Sequence, residues 1–128
     1  MSHTTKYKLQ ITDAECAVKA LQRMGFNPSV IENHEEQSQL YDYGGRVMSG
    51  LKANVVIRRN HLQGTVNDFG IRIGEDGSEV YVDGRTVDTK RLEQCYGVEK
   101  ALKDADAMGY FTTEEVMSDG RIRLRVTR

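Results

Sequence analysis

This chain of 128 residues contains no tryptophan, one proline and two cysteines. Cys16 and Cys95 both fall in segments with helical periodicity, so the sequence predicts small buried side chains rather than a disulfide-stapled fold. The charges nearly cancel, with 18 Lys and Arg against 19 Asp and Glu. A net charge of −1 argues against a protein that mainly coats nucleic acid, so any anion site has to come from local clustering of cations.

Long hydrophobic runs are also absent. None approaches the roughly 18 apolar residues of a membrane span, and no pattern of charged and then apolar residues indicates a signal peptide. The sequence therefore predicts a cytoplasmic protein without a membrane partner. With 38% apolar and 29% charged residues, it has the composition of one globular domain, covering residues 1–128.

The closing stretch, Ser118–Arg128, has the clearest pattern in the chain. Asp119-Gly120 is a turn signal, because glycine adopts positive φ without a steric penalty. Strict alternation follows, with Ile122, Leu124 and Val126 on one side and Arg121, Arg123 and Arg125 on the other. This pattern predicts a half-buried strand with one cationic face.

The other elements alternate between strands and helices. Strands are predicted at 5–11, 54–59, 69–73, 79–83 and 113–117, and helices at 12–24 and from Asp88 or Thr89 to about 108. The first helix begins with a capping box in which Thr12 is the N-cap. The order favours an α+β two-layer sandwich, with both helices on one face of an antiparallel sheet. A ferredoxin-like core with an extra hairpin is the first choice, and a less regular antiparallel sheet is the alternative.

Residues 33–53 show little hydrophobic periodicity. The segment is polar, and its glycines and two tyrosines are unusual between elements that are normally joined by short connections. It is predicted to be a mobile loop, either a disordered excursion or a working loop.

Several motifs along the chain carry a family resemblance. They are Gln10-Ile11-Thr12-Asp13, Val55-Val56-Ile57-Arg58, Gly70-Ile71, Glu75-Asp76-Gly77 to Asp83, Gln94-Cys95-Tyr96 and Asp119 to Leu124. Together they are similar to small conserved hypothetical proteins encoded in red-algal plastid genomes and cyanobacteria, a family with distant members in other bacteria and phages. The resemblance covers most of the chain and supports the fold, but it implies no settled activity.

The cationic face and the loop together form a candidate anion site. If helices cover one sheet face, the other face exposes a set of cations with Tyr81 among them. In a ferredoxin-like order the first and last strands are neighbours, which would bring Lys8 close to Arg123. Arginine forks match phosphate oxygens, and tyrosines with Gly44-Gly45 permit close approach to a ligand. The predicted ligand-binding residues are Lys8, Arg58, Arg72, Tyr81, Arg121, Arg123, Arg125, Tyr41, Tyr43 and Arg46.

Two function classes remain open. The first is non-catalytic binding of a small anionic molecule, such as a nucleotide or nucleotide-derived signal, which a phage protein would sequester. The alternative is a protein-interaction module or homo-oligomeric adapter that binds a second copy or a partner. Nucleic acid is a less favoured partner, because paired aromatics on adjacent strands are missing. No catalytic residues, metal ligands or cofactor are predicted, since the histidines are scattered and no nucleophile with its base is evident.

Overall fold

The computed structural model describes residues 3–128, which form seven β-strands and two α-helices. In chain order these are β1 (Thr4–Leu9), α1 (Ala14–Arg23), β2 (Ile31–Tyr41), β3 (Val47–Ile57), β4 (Phe69–Ile73), β5 (Ser78–Asp83), α2 (Thr89–Ala107), β6 (Phe111–Val116) and β7 (Ile122–Thr127). Short 3₁₀ turns at Pro28–Val30 and Arg59–His61 precede β2 and follow β3. Within this range, no helix is both long and apolar enough to pass through a membrane.

The main sheet has five antiparallel strands in the order β1-β5-β4-β3-β2. Strands β2 to β5 follow one another as hairpins, and β1 pairs with the open side of β5. The remaining strands, β6 and β7, pair only with each other in a separate sheet. The predicted α+β class is confirmed.

The first and last strands are not neighbours, in contrast to the ferredoxin-like arrangement. Lys8 of β1 lies opposite Glu79 of β5, and Arg123 of β7 lies opposite Glu115 of β6. The reason is local. After α2 the chain turns back at Gly109, which has φ of +78°, and runs into a tight hairpin that pairs with itself. The strand order therefore corresponds to the less regular alternative.

Both helices pack on one face of the main sheet, as predicted. The core between helices and sheet contains Cys16, Ala17, Ala20 and Leu21 of α1, Leu92, Cys95 and Tyr96 of α2, and Val55, Ile57, Phe69, Ile71, Val80 and Val82 of the strands. Both cysteines are free and buried, so their prediction is confirmed. The N-cap of α1 is Asp13 rather than Thr12, because the Asp13 carboxylate accepts the Cys16 amide at 3.0 Å.

The opposite face of the sheet is partly covered by the β2–β3 hairpin. Residues 33–53, expected as a loop, instead form most of this hairpin, although its register is interrupted between Asn33 and Ser38 and again beyond Gln39. We call its outer part, residues 38–51, the arm. Leu40 of the arm is fully buried in a second small core with Ala53, Val56 and Tyr81. The arm therefore folds back over the sheet.

Strands β6 and β7 form a two-stranded ribbon, residues 111–127, that lies outside the main sheet. Ile122, Leu124 and Val126 share one face, as the alternation predicts, but they do not contribute to either buried core. Ile122 and Leu124 are half-buried, whereas Val126 is exposed. The stretch with the clearest sequence pattern is thus on a peripheral element.

Candidate functional sites

The structure does not bring the predicted ligand-binding residues together. Because β7 is separate from the main sheet, the cations that alternation placed on one surface are distributed over distinct places. The main sheet carries Lys8, Arg72 and Tyr81, and the arm carries Tyr41, Tyr43 and Arg46 on or beside its turn. A polar network contains Arg58, and the ribbon carries Arg121, Arg123 and Arg125.

The Arg58 side chain belongs to a hydrogen-bonded network between the sheet and the arm. Its guanidinium donates to both carboxylate oxygens of Glu32 at 2.9 and 3.0 Å, and to Asp68 at 3.1 Å. It also donates to the main-chain oxygen of Gln39 and to the hydroxyl of Ser38, both at 2.8 Å. These bonds use every N–H group of the guanidinium, so Arg58 has none left for an external anion.

The charges of this network stabilise one another. Burial disfavours the Glu32 carboxylate, but its bonds to Arg58 and His34 outweigh burial and lower the pKa of Glu32. Asp68 is fully buried, and its carboxylate accepts the amides of Tyr41 at 2.9 Å and Arg59 at 2.8 Å. The network therefore fixes the arm on the sheet, which is a structural role.

The tyrosine-glycine segment of the arm is a hairpin turn. The Asp42 carboxylate accepts the amides of Gly44 and Arg46, both at 2.9 Å, and these bonds lower its pKa. The Arg46 guanidinium lies 6.0 Å from the centre of the Tyr43 ring. The Tyr41 ring lies 5.9 Å from the Arg58 guanidinium. These side chains interact with their neighbours in the turn and the network rather than lining a shared cavity.

Tyr81 is buried, although it was expected among exposed cations. The arm covers its ring, and its hydroxyl donates to Glu79 at 2.9 Å. Burial, together with Glu79, raises the pKa of Tyr81. Lys6 lies on the same face with its ammonium 5.9 Å from the ring centre. Tyr81 is therefore part of the second core and does not offer a stacking surface.

Lys8 and Arg72 do meet at one site. Both lie opposite Glu79, from its two sides, and both line a cleft of 530 Å³ beside the turn from Gly74 to Gly77. Neither forms an ion pair within residues 3–128. Carboxylates also line the cleft, from Glu75, Asp76 and Glu79. This site is small, open and of mixed charge.

The ribbon arginines have only exposed partners. Arg121 contacts Asp119 at 2.6 Å, while Arg123 and Arg125 share Glu115 at 3.8 and 3.3 Å. The side chains of all three arginines are more than half exposed. Ion pairs of this kind contribute little to stability, so the arginine row stays accessible.

Large apolar side chains are also exposed on the ribbon and at its base. The exposed fractions are 67% for Met108, 74% for Phe111, 77% for Val116 and 51% for Val126. Phe111 lies on the same face of the ribbon as Arg123 and Arg125, and Val116 and Val126 lie on the other face. The sequence analysis did not predict this exposure, because it expected the apolar residues of the last strand to be covered. Apolar residues in a strand look the same in sequence whether a core or a partner covers them.

Polar contacts attach the ribbon to the helices. Arg23 at the end of α1 donates to both oxygens of Glu114 at 2.8 and 3.0 Å, and to Glu99 of α2 at 3.3 Å. Gln94 of α2 donates to the main-chain oxygen of Gly120 at 3.3 Å. Arg23 thus links both helices to the ribbon.

We expect the ribbon to loosen in acid. The bonds from Arg23 hold the pKa of Glu114 below its usual value of 4.5. A carboxyl group with a lowered folded pKa contributes stability above its unfolded pKa, and this contribution is lost as pH falls through the folded pKa. Protection of ribbon amides against hydrogen exchange, relative to helix amides, should therefore decrease between about pH 6 and about pH 3.

The variant Glu114→Gln is the control for this pH dependence. Its side chain has no charge to titrate, so its ribbon should be less protected than that of the wild type at neutral pH. The difference between the two proteins should disappear in acid. An equal response of both proteins to pH would contradict the role of the Arg23–Glu114 pair.

In comparisons with known proteins, no protein-family model, no curated protein and no solved structure matches the chain. The resemblance to plastid and cyanobacterial proteins stays a prediction. No group of three or more His, Cys, Asp or Glu side chains in the described range is placed to hold a metal ion. The function is therefore inferred from the chain's own residues.

Proposed function

We propose that this protein is a protein-interaction module and that the ribbon is its interface. The observation that carries the proposal is the exposure of four large apolar side chains, each more than half exposed: Met108 at the end of α2, and Phe111, Val116 and Val126 on the ribbon. These are four of the seven large apolar side chains that are exposed in the described range, and a concentration of exposed apolar surface in one region is typical of sites that bind other proteins. The proposal assigns no catalytic step and no cofactor.

The energetics of the ribbon support this proposal. Covering a large apolar side chain contributes about 1.5–3 kcal/mol. A two-stranded ribbon is at best marginally stable alone, because each strand pairs on one side only. A partner that covers the ribbon would therefore stabilise both the ribbon and the complex.

Photo-crosslinking tests the interface. A photoreactive benzoylphenylalanine would replace Phe111 or Val116 in the full chain, expressed in cells that naturally carry the gene. The matched controls place it at Tyr43 or Val47, which are also exposed but lie on the arm or at its turn. We expect an adduct of defined mass at the ribbon positions and none at the arm positions. The same adducts at both sites, or none at either, would contradict the proposal.

A small anionic molecule, such as a nucleotide, is the second candidate ligand. It is favoured by the cleft in which Lys8 and Arg72 approach Glu79 from two sides without an ion pair. Glu79 already accepts the Tyr81 hydroxyl, which partly satisfies its negative charge. A phosphate between the two cations would gain charge-assisted hydrogen bonds, and in a phage setting such binding would sequester the ligand.

Calorimetric titration with nucleoside triphosphates tests this second candidate. Arg72→Glu should weaken binding at least about tenfold, since a hydrogen bond to a charged group contributes about 1.5–3 kcal/mol. Arg85→Glu changes the net charge equally at an exposed site away from the cleft, and it should leave binding unchanged. No heat of binding in the wild type, or equal weakening in both variants, would exclude a specific anion site.

A further inference from the structure

The backbone of β7 has a free edge. In the part of the chain that the structure describes, β7 pairs with β6 and with no other strand. At the hairpin turn, the amide of Met117 donates to the oxygen of Arg121 at 2.7 Å. Antiparallel strands use alternate residues for mutual hydrogen bonds, so this bond sets the pattern for the whole ribbon. The amides and carbonyls of Arg123 and Arg125 point towards β6, and those of Ile122, Leu124 and Val126 point away from it.

The two faces of β7 carry side chains of different chemistry. Ile122, Leu124 and Val126 lie on one face, and Arg123 and Arg125 lie on the other. An added strand places its side chains directly opposite those of β7, on the same two faces. The strand that fits therefore carries carboxylates on alternate residues and apolar side chains between them.

We propose that the free edge of β7 binds an extended segment of another protein in which acidic and apolar residues alternate. The added strand would receive main-chain hydrogen bonds from the edge, while the arginine row would select its charge. This inference rests on the proposed interaction function and names the partner's chemistry. Arg123 and Arg125 share one carboxylate, that of Glu115. The pair therefore carries more positive charge than Glu115 neutralises.

A second copy of this chain does not fit the same edge. When two β7 strands pair antiparallel around a two-fold axis, residues of the same face stand opposite each other, so arginines would face arginines. Like charges placed directly opposite are destabilising. Cationic side chains on an edge strand also protect proteins against aggregation without any ligand, and a binding experiment separates that role from recognition.

Fluorescence anisotropy with labelled peptides tests the inference on the full chain. The probe is a peptide of about ten residues that alternates Glu and Val, long enough to span β7. The controls are the same peptide with Lys for Glu, and one of the same composition with the Glu and Val residues in separate blocks. We expect only the alternating Glu peptide to bind, at least about tenfold more tightly than either control. Equal binding of the block peptide would indicate simple charge attraction and overturn the inference.

Charge reversal supplies the matched protein variant. The variant with both Arg123→Glu and Arg125→Glu should no longer bind the Glu peptide and should instead bind the Lys peptide. Both side chains are exposed, so we expect the fold to be unchanged. Amide exchange provides a readout of backbone pairing, because peptide should protect the amides of Ile122, Leu124 and Val126 and leave those of the two arginine positions unchanged. Binding without this alternating protection would overturn the proposed geometry.

The outcomes also separate this inference from the proposed function. If no peptide binds but ribbon-specific crosslinks form, the interface stands and the alternating acidic partner is wrong. If single-stranded oligonucleotides bind the wild type more tightly than the Glu peptide does, the arginine row recognises phosphate instead. If neither peptides nor crosslinks are found, both proposals fail.

Discussion

Replacing Arg58 by alanine is expected to lower the free energy of unfolding by about 3 kcal/mol, the effect of removing one partner from a buried charge pair. The substitution removes the guanidinium that bonds Glu32, Ser38, Gln39 and Asp68. Asp68 is fully buried and would lose its closer cation, which leaves only the longer contact with Arg59 at 3.8 Å. Urea unfolding followed by circular dichroism measures the change.

Arg72→Ala is the control for Arg58. Arg72 lies on the same face of the sheet, on the next strand, but it is exposed and forms no ion pair among the described residues. Substitutions at such sites change stability by about 0.5 kcal/mol or less. Similar losses in the two variants would mean that the Arg58 network does not hold the arm. Arg58→Lys should recover only part of the loss, because an ammonium group cannot reproduce the fork.

Replacing Gly70 by alanine should destabilise the protein by about 2 kcal/mol, within the range for overpacked cores. A Cβ atom at Gly70 would lie 2.7 Å from the Ala53 Cβ and 2.9 Å from a methyl carbon of Leu40. Both distances are shorter than real carbon contacts, and β4 cannot retreat because it is paired with β3 and β5. The β2–β3 hairpin around Leu40 and Ala53 would have to shift away from β4. The unfolding midpoint in urea gives the size of the effect.

Gly97→Ala is the matched control with the opposite sign. Gly97 lies inside α2. Apart from its chain neighbours and the nearby backbone of α2, no atom lies within 4 Å of the position that a Cβ atom would occupy there. Alanine is favoured over glycine in a helix by about 1 kcal/mol, so this variant should be more stable than the wild type. If Gly70→Ala were neutral, the arm would not be packed on the sheet as described.

Together these two predictions test how the arm closes the second face of the sheet. The arm is attached by a charged network at Arg58 and by the small core around Leu40. If both attachments are needed, the variants should also increase exchange of arm amides while leaving the helices protected. This separates local release of the arm from global unfolding.

Much of the fold was predictable because its elements carry local signals. Alternation identified β1 and the β4–β5 hairpin, and apolar spacing of three and four residues identified both helices. The α+β class followed from the order of those elements. The predicted N-cap of α1, Thr12, was wrong by one residue, since Thr12 and Asp13 are both good N-caps and the structure uses Asp13.

The arm was not predictable for a physical reason. Strand β2 is an edge strand with an interrupted register, and along its outer half only Leu40 is fully buried. With so few buried positions, it has no alternation to recognise. What makes it a strand is pairing with β3 and the bonds of Arg58, which are contacts between residues far apart in the chain.

Whether the predicted residues bind a ligand stays a prediction, but the structure shows where their side chains lie. Alternation correctly placed Arg58 and Tyr81 on the face away from the helices, but it could not show that the arm covers that face. It also assigned Arg123 and Lys8 to one sheet, whereas a tight turn at Asp119-Gly120 lets β7 pair with β6 alone. The local sequence determines which face of a strand a side chain points to. Which other segment covers that face depends on contacts between residues far apart in the chain.

The amino-acid sequence by itself determined the helices, most of the strands, the burial of both cysteines and the two chemically distinct faces of β7. These properties follow from periodicity, capping and turn residues, which act over a few neighbouring positions. Only the tertiary structure decided which strands are neighbours, that Arg58 is used internally, and that Phe111 and Val116 are exposed. Those outcomes depend on long-range pairing and coverage, because the same apolar or charged strand face is satisfied by a core, by solvent or by another protein.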